Sequence, residues 1–259
     1  MPDDLDKQRI RQRFARSLDT YADAATVQRA MAHDLLHDLL RVADGQRAFP
    51  RIAEAGCGTG LLTDLIEQHL DYQQLILIDL VPDCARLHQH RPRATFIPGD
   101  LETLTLPTHL DLFLANAVLQ WIRDLPQLLQ RLAQALTPGA LIAFTSFGPQ
   151  NLREIAALTG RGLHYHDLQT WQRLLQPHFH LLHAAEHLQQ LSFPSPLDVL
   201  RHLKQTGVTA TANTATPPWT RTQLNDFSQR YRQRFSLTDG SIPLTYHPLT
   251  LIARRLPNP

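Results

Sequence analysis

Cysteine and lysine are both scarce in this chain of 259 residues. The two cysteines, Cys57 and Cys84, form no C-x-x-C pair and are too few for a disulfide framework. Of 25 basic residues only Lys7 and Lys204 are lysine, a bias that reads as codon usage and carries no mechanism. No run of about 18 uncharged apolar residues exists, so no membrane span is expected. The opening "MPDDLDKQRIRQRF" is charged throughout and lacks the apolar core of a secretion signal. A reducing cytoplasm is the expected location. Metal-ligand spacing is missing too. The 14 histidines are scattered as His88/His90, His164/His166 and His178, His180 and His183, with no H-E-x-x-H and no Cys/His set. No metal is expected.

The composition is that of an ordinary globular protein, 43% hydrophobic and 19% charged. The net charge of +1 hides an asymmetry: residues 1–150 carry a net −4 and residues 151–259 a net +5. A basic second part favours an acidic partner, although the excess is modest. It lacks the dense basic stripe and stacking aromatics of a nucleic-acid binder, so none is expected.

Periodicity predicts helices first. Ile10, Phe14 and Leu18 recur at four-residue steps, and Val27, Met31, Leu35, Leu36, Leu39 and Leu40 follow in "VQRAMAHDLLHDLLRVA". "DTYADAA" (19–25) reads as the break between them, capped by Asp19 or Thr20. Apolar strands then alternate with helices: "RIAEA" (51–55), "LILIDL" (75–80), "TFIPGD" (95–100), "DLFLANA" (111–117) and "ALIAFTSF" (140–147). The helices between are "LLTDLIEQHL", "PDCARLHQ" and "LPQLLQRLAQAL", the last closed by Pro138-Gly139. This is the pattern of a doubly wound α/β sheet covered on both faces. After Phe147 the spacing predicts a helix in "LQTWQRLLQPHF", one strand in "HLLHAAEHLQQLSF" and a final strand in "TYHPLTLIARR". Between those strands "PSPLDVLRHLKQTG" and "RTQLNDFSQRYRQRFSL" read as helices joined by the loop "VTATANTATPPW", a helical lid.

The chemistry gathers at the strand ends, where an open parallel sheet binds its ligand. The first strand ends in Glu54 and the turn "AGCGTG", with Gly56, Gly58 and Gly60. A dinucleotide fingerprint needs a further glycine where Leu61 stands, and a phosphate loop needs a lysine that is not there. The turn therefore suits a ligand that approaches backbone closely without a pyrophosphate. The second strand ends in Asp79, placed for ribose hydroxyls, and the third in "GDLETL" with Asp100 available for an adenine amino group. The fourth ends in "ANAVLQW", carrying Asn116, Gln120 and Trp121.

These motifs resemble the S-adenosylmethionine-dependent methyltransferases of the Rossmann-like class. The resemblance covers residues 50–150. It implies a mostly parallel seven-stranded sheet with an antiparallel last strand, and S-adenosylmethionine as cofactor. Gly56, Gly58 and Gly60 would then face its amino-acid moiety and ribose, Asp79 would take the ribose hydroxyls and Asp100 with Leu101 the adenine, with Glu54, Leu80 and Asn116 as further cofactor contacts. The flanks "RFARSLDTYADAATVQ" (13–28), "FGPQNLREI" (147–155), "PLDVLRHLKQTGVT" (196–209) and "PLTYHPLTLIARR" (243–255) resemble the malonyl-[acyl-carrier protein] O-methyltransferases of biotin synthesis. That implies a flap over residues 1–45, a core over 46–193, a lid over 194–242 and a final core strand and tail over 243–259.

The implied substrate is malonyl-acyl-carrier protein or malonyl-coenzyme A. Its free carboxylate is ionised at neutral pH and needs no base to attack a methyl sulfonium. Tyr21 would orient that carboxylate or the cofactor, or else pack between two helices. Gln120 and Trp121 would line the pocket, although Trp121 also suits a core. Arg201 and Lys204, and the "RYRQRF" arginines, would meet the acidic carrier, or else form a solvated helix face. The rival readings are a small-acid methyltransferase of the trans-aconitate type, whose "NA-x-LQW" segment looks similar, and a non-catalytic S-adenosylmethionine-binding module.

Overall fold

The structure is a computed structural model that describes residues 6–207 and 219–257. The expected loop over residues 208–218 lies outside the described residues. Two helices come first, α1 (Lys7–Ala24) and α2 (Thr26–Val42). The alternating core follows: β1 (Arg51–Ala55), α3 (Leu61–His69), β2 (Gln74–Asp79), α4 (Ala85–His88), β3 (Ala94–Pro98), β4 (Leu110–Ala115), α5 (Leu125–Ala135) and β5 (Leu136–Phe147). The rest comprises α6 (Arg153–Thr159), α7 (Leu168–Leu175), β6 (Phe179–Glu186), β7 (Gln189–Phe193), α8 (Pro196–Gln205), α9 (Arg221–Phe235), β8 (Ile242–Tyr246) and β9 (Pro248–Arg255).

The seven-stranded sheet has the order β3-β2-β1-β4-β5-β9-β6. Strands β1 to β5 are parallel, and β9 runs antiparallel to both neighbours. The central strands β1, β2 and β4 read as largely apolar runs because both faces are buried. On β4, Phe113 joins the core beneath α5 and α7 with Leu129, Phe144 and Trp171. Its neighbours Leu112 and Leu114 join the opposite core with Leu35 and Leu39 of α2 and Ile66 of α3. The chain winds outward from β1 to β3 and restarts at β4, so the switch point lies between β1 and β4. No helix among the described residues is long and apolar enough to cross a membrane.

Several expectations need correcting. Residues 19–24 continue α1, and the break falls at Ala25, fully buried and without a side-chain cap. Thr20 donates back to Ser17 O (3.2 Å), and the C-terminal carbonyl of Ala22 is held by Arg29 from the next helix (2.5 Å). Pro138 and Gly139 do not close α5, which ends at Ala135. They lie in a β-bulge of β5, where the register steps from Leu110–Leu136 to Leu112–Leu141.

The two late strands are four. Residues 180–193 split at His187-Leu188 into β6 and β7, and residues 245–255 split at His247 into β8 and β9. Strands β6 and β9 stay in the main sheet, while β7 and β8 pair with each other. The expected lid limits at 194 and 242 fall at the end of that ladder, where Phe193 pairs with Ile242. The short helix α6 had no counterpart among the expected elements.

That small sheet, with α6, α8 and α9, builds a second core of Leu158, Val199, Phe227, Tyr231, Leu244 and Tyr246, seated on Val27 and Met31 of α2. Gly207, two residues past the end of α8, has a φ of +70° that suits glycine. A Cβ there would also meet the Phe14 ring of α1 at 2.9 Å. Gly207→Ala is therefore expected to lower stability by about 1–3 kcal/mol through combined strain and overpacking. Urea unfolding should show a lower midpoint at unchanged slope.

Candidate cofactor cleft and adjoining chamber

A cleft with an open volume of about 1040 Å³ lies over the ends of β1, β2 and β4, at the switch point. Its floor is the glycine turn. Gly56 has φ +67°, and a Cβ on it would collide with Val118. Gly58 has φ +49°, and a Cβ on it would meet only Gly56 O, at 3.9 Å, so the space above it is open. Gly60 departs from expectation. It starts α3 and faces Arg91 and His88 beneath the turn, not the cleft. Its glycine is needed for φ +96°. The buried His88 supports the turn from below, its Nε2 lying 3.1 Å from Gly58 O.

Asp79 terminates β2 and braces the turn from the side. Its Oδ2 accepts from Gly58 N and its Oδ1 from Val81 N, both at 2.8 Å. Burial pushes its carboxyl above the usual range, against the pull of those two N–H groups. Glu54, buried on β1, accepts from Thr63 Oγ1 at 2.7 Å, and burial raises its carboxyl to about 8. Leu80, Asp100 and Leu101 line the far wall.

Asn116 also lines the cleft, but its amide is engaged. Its Nδ2 donates to Gln28 O (2.9 Å) and its Oδ1 accepts from Thr145 (2.6 Å), tying the end of β4 to α2 and β5. The roof is one face of α1, with Lys7, Ile10, Phe14, Ser17, Leu18 and Tyr21. Lys7 latches that roof to the rim through Asp100 (3.1 Å) and Glu102 (2.7 Å).

Residues and shape fit an adenosyl amino acid. The acidic groups stand at the strand ends, space is open above Gly58, and the Thr59 hydroxyl in the cleft lining is buried without a partner. The remaining wall is largely apolar. The chain can hold such a cofactor.

Behind the roof lies a second, much smaller chamber, with about 340 Å³ of open space counting the solvent at its mouth. It shares Phe14, Tyr21, Ala117 and Trp121 with the cleft, so those side chains form the wall common to the two. Tyr21 sits in the last turn of α1, not in an interhelical break, and burial raises its phenol well above the ordinary value. Gln120 lines the chamber alone, its Nε2 donating to Ala117 O at 2.6 Å, whereas Trp121 is both buried and part of the wall. The polar groups lining the chamber are hydroxyls and amides, from Tyr21, Gln28, Gln120, Asn151, Tyr165, Thr206 and Tyr246.

Arg201 and Lys204 line neither cavity. Helix α8 buries Val199, His202 and Leu203, which leaves 201 and 204 on the solvent face, Arg201 paired with Asp198 at 2.5 Å. Sequence reasoning missed Gln28, Asn151, Tyr165, Thr206 and Tyr246 as individuals. Four of the five lie within the four flanking segments singled out above, one in each. Tyr165, in the irregular stretch before α7, carried no such signal.

Glu54 gives a test of this electrostatic picture. Its carboxyl holds a proton up to about pH 8 when folded but only to about 4.5 when unfolded, so folding stability falls as pH rises between those values. Glu54→Gln cannot ionise and should remove that part of the slope. Chemical denaturation at pH 5.5 and 8.5 is expected to show a difference between wild type and variant that changes by a few kcal/mol, to order of magnitude, in the variant's favour at the higher pH.

The family described as "Methyltransferase domain" matches residues 27–213. A malonyl-[acyl-carrier protein] O-methyltransferase of Chlorobium luteolum is 39% identical over 96% of each chain. One from Acinetobacter baylyi is 38% identical over 97% of this chain and 98% of its own. Among solved structures, the N-methyltransferase NodS of Bradyrhizobium japonicum, in complex with S-adenosyl-L-homocysteine, superposes with a TM-score of 0.54 at 15% identity, covering 91% of this chain and 98% of that one. At that identity the likeness speaks for the fold, and the fold is the one seen here. On sequence over nearly its whole length, the chain belongs to the malonyl-[acyl-carrier protein] O-methyltransferase family.

Proposed function

We propose that this enzyme methylates the free carboxylate of a malonyl thioester carried on acyl-carrier protein, a step toward pimeloyl and biotin synthesis, with S-adenosylmethionine as methyl donor. The observation that carries the reading is the chamber of neutral hydrogen-bonding groups that adjoins the cofactor cleft across Tyr21 and Trp121. Such a lining suits a nucleophile that arrives already ionised.

Asp79 accepts the ribose hydroxyls, Glu54 and the backbone at Gly56 and Gly58 meet the amino-acid end, and Asp100 with Leu101 meets the adenine. Bound there, S-adenosylmethionine supplies a sulfonium methyl electrophilic toward a carboxylate. The protein's share is orientation and exclusion of water. Tyr21 stays protonated at neutral pH and donates to the carboxylate. Phe14 and Trp121, packed edge to face with centroids 5.9 Å apart, close the shared wall to solvent.

Residues 1–45 act as a flap, and the lid around α8 and α9 receives the carrier. Arg201 and Lys204 present positive charge on its outer face for an acidic partner. Two buried free cysteines suit a reducing cytoplasm as the working location.

A methyl-transfer assay tests the substrate. Malonyl-carrier protein and malonyl-coenzyme A should be methylated, and free malonate and trans-aconitate should be poor substrates. Turnover of the free acids with none of the thioesters would overturn the reading in favour of a small-acid enzyme, and no turnover at all would favour a binding module. For the cofactor, Asp79→Ala should weaken S-adenosylhomocysteine binding roughly tenfold or more by calorimetry, the value of a hydrogen bond to a charged acceptor. Unchanged affinity in a folded variant would remove Asp79 from the site.

A further inference from the structure

Three phenols converge in the second chamber, those of Tyr21, Tyr165 and Tyr246. Their oxygens are close enough that Tyr165 and Tyr21 each disfavour ionisation of Tyr246, after the larger effect of burial. The three are not equivalent. The Tyr246 hydroxyl is engaged by His202 Nε2 at 2.8 Å and by Thr206. Tyr21 stands in the wall shared with the cofactor cleft. Tyr165 forms the inner wall, its ring edge-on to Phe147 at 6.3 Å.

Asn151 decides which way the Tyr165 hydroxyl points. Its Oδ1 accepts from the backbone N–H of His247 at 3.3 Å. A backbone N–H only donates, so the amide atom facing it is the oxygen, and the amide nitrogen is the other. The side chain of Asn151 hydrogen-bonds to Tyr165 in the sense that favours the phenolate, as a donor to the phenol oxygen. With that oxygen accepting from Asn151, the O–H proton of Tyr165 is left to point elsewhere. The loop that carries Asn151 is itself fixed: Gly148 N donates to His247 O at 2.8 Å, and a Cβ on Gly148 would meet the His247 ring at 2.5 Å. Asn151 is therefore held from both ends.

We propose that Tyr165 and Tyr21 form a neutral clamp for the carboxylate of the malonyl thioester, with Asn151 as the positioning residue that turns the Tyr165 hydroxyl into the chamber. The proposal rests on the methyl-transfer reading above and adds to it the groups that recognise the carboxylate. A neutral clamp has two chemical consequences. It holds the anion through charge-assisted hydrogen bonds without neutralising the charge that must attack the methyl group. It also distinguishes substrate from product, because the methyl ester is an uncharged and weaker acceptor. Burial lifts the Tyr165 phenol to about 12, so it remains a donor throughout the neutral range.

The test compares two ligands on enzyme saturated with S-adenosylhomocysteine: malonyl-coenzyme A and its methyl ester. In wild type the carboxylate form should bind the more tightly. Tyr165→Phe removes one oxygen and should cost about ten- to hundredfold in affinity for malonyl-coenzyme A, with little change for the methyl ester or for S-adenosylhomocysteine. In turnover the loss should appear chiefly in KM. Asn151→Asp is the second probe. It keeps the acceptor for His247 N–H but replaces the donor to Tyr165 by an acceptor, which draws the phenol proton out of the chamber. It should depress kcat/KM at least as much as Tyr165→Phe does.

If wild type turns over malonyl thioesters while Tyr165→Phe retains its kcat/KM and its preference for carboxylate over ester, the clamp is overturned and the methyl-transfer reading stands. If wild type turns over no malonyl thioester, both fall.

Discussion

The carboxylate of Asp79 holds together the ends of two parallel strands. By accepting from Gly58 N and Val81 N it fixes the glycine turn after β1 to the first residues beyond β2. Everything on the cofactor side depends on that junction. The turn keeps its positive φ angles with its N–H groups partnered, Gly56 and Cys57 by Ile78 O, Gly60 by Cys57 O and Gly58 by Asp79. His88 supports the turn from below, and α1 closes over it from above. A buried carboxylate resists ionisation. Two backbone donors offset that cost here, and the energy is retained as a preformed floor.

The second chamber shows how a shared methyltransferase core acquires its own chemistry. Its polar lining comes from α1, α2, the loop before α6, the stretch before α7, the end of α8 and the end of β8. Apart from Ala117, Gln120 and Trp121, these positions lie outside the β1–β4 region that holds the cofactor cleft. The flap and the lid are therefore more than covers. They meet each other, Gly207 just past α8 against Phe14 of α1, and together they line the second chamber.

Much of the core was legible in the sequence for one reason. Strands β1, β2 and β4 and the second half of β5 are buried on both faces, so each reads as a largely apolar run. What was not legible depended on tertiary decisions. Nothing local marks Ala25 as a helix end, because the break is set by packing around a small buried residue and by an arginine from the following helix. Nothing local tells residues 189–193 to leave the sheet that 179–186 have just joined. Both segments have strand character, and only the partner β8 separates them. Gly60 has the spacing of a ligand glycine yet serves the backbone at the start of α3. Tyr165 was invisible because a tyrosine in an irregular stretch has no pattern to betray what surrounds it.

The position of β9 has a consequence for how the protein is born. It is the last strand in the chain, yet it lies between β5 and β6. During synthesis β6 emerges with nothing to pair with, and β5 waits with an open edge, until residues 248–255 follow. At 5–20 residues per second that interval is roughly 3–12 s, long on the scale of strand association and of encounters with other nascent chains. Removal of those eight residues would cost the sheet two strands, because β6 has no other neighbour in it. The sheet is thus completed only once residues 248–255 have emerged, and until then β5 and β6 each present an open edge.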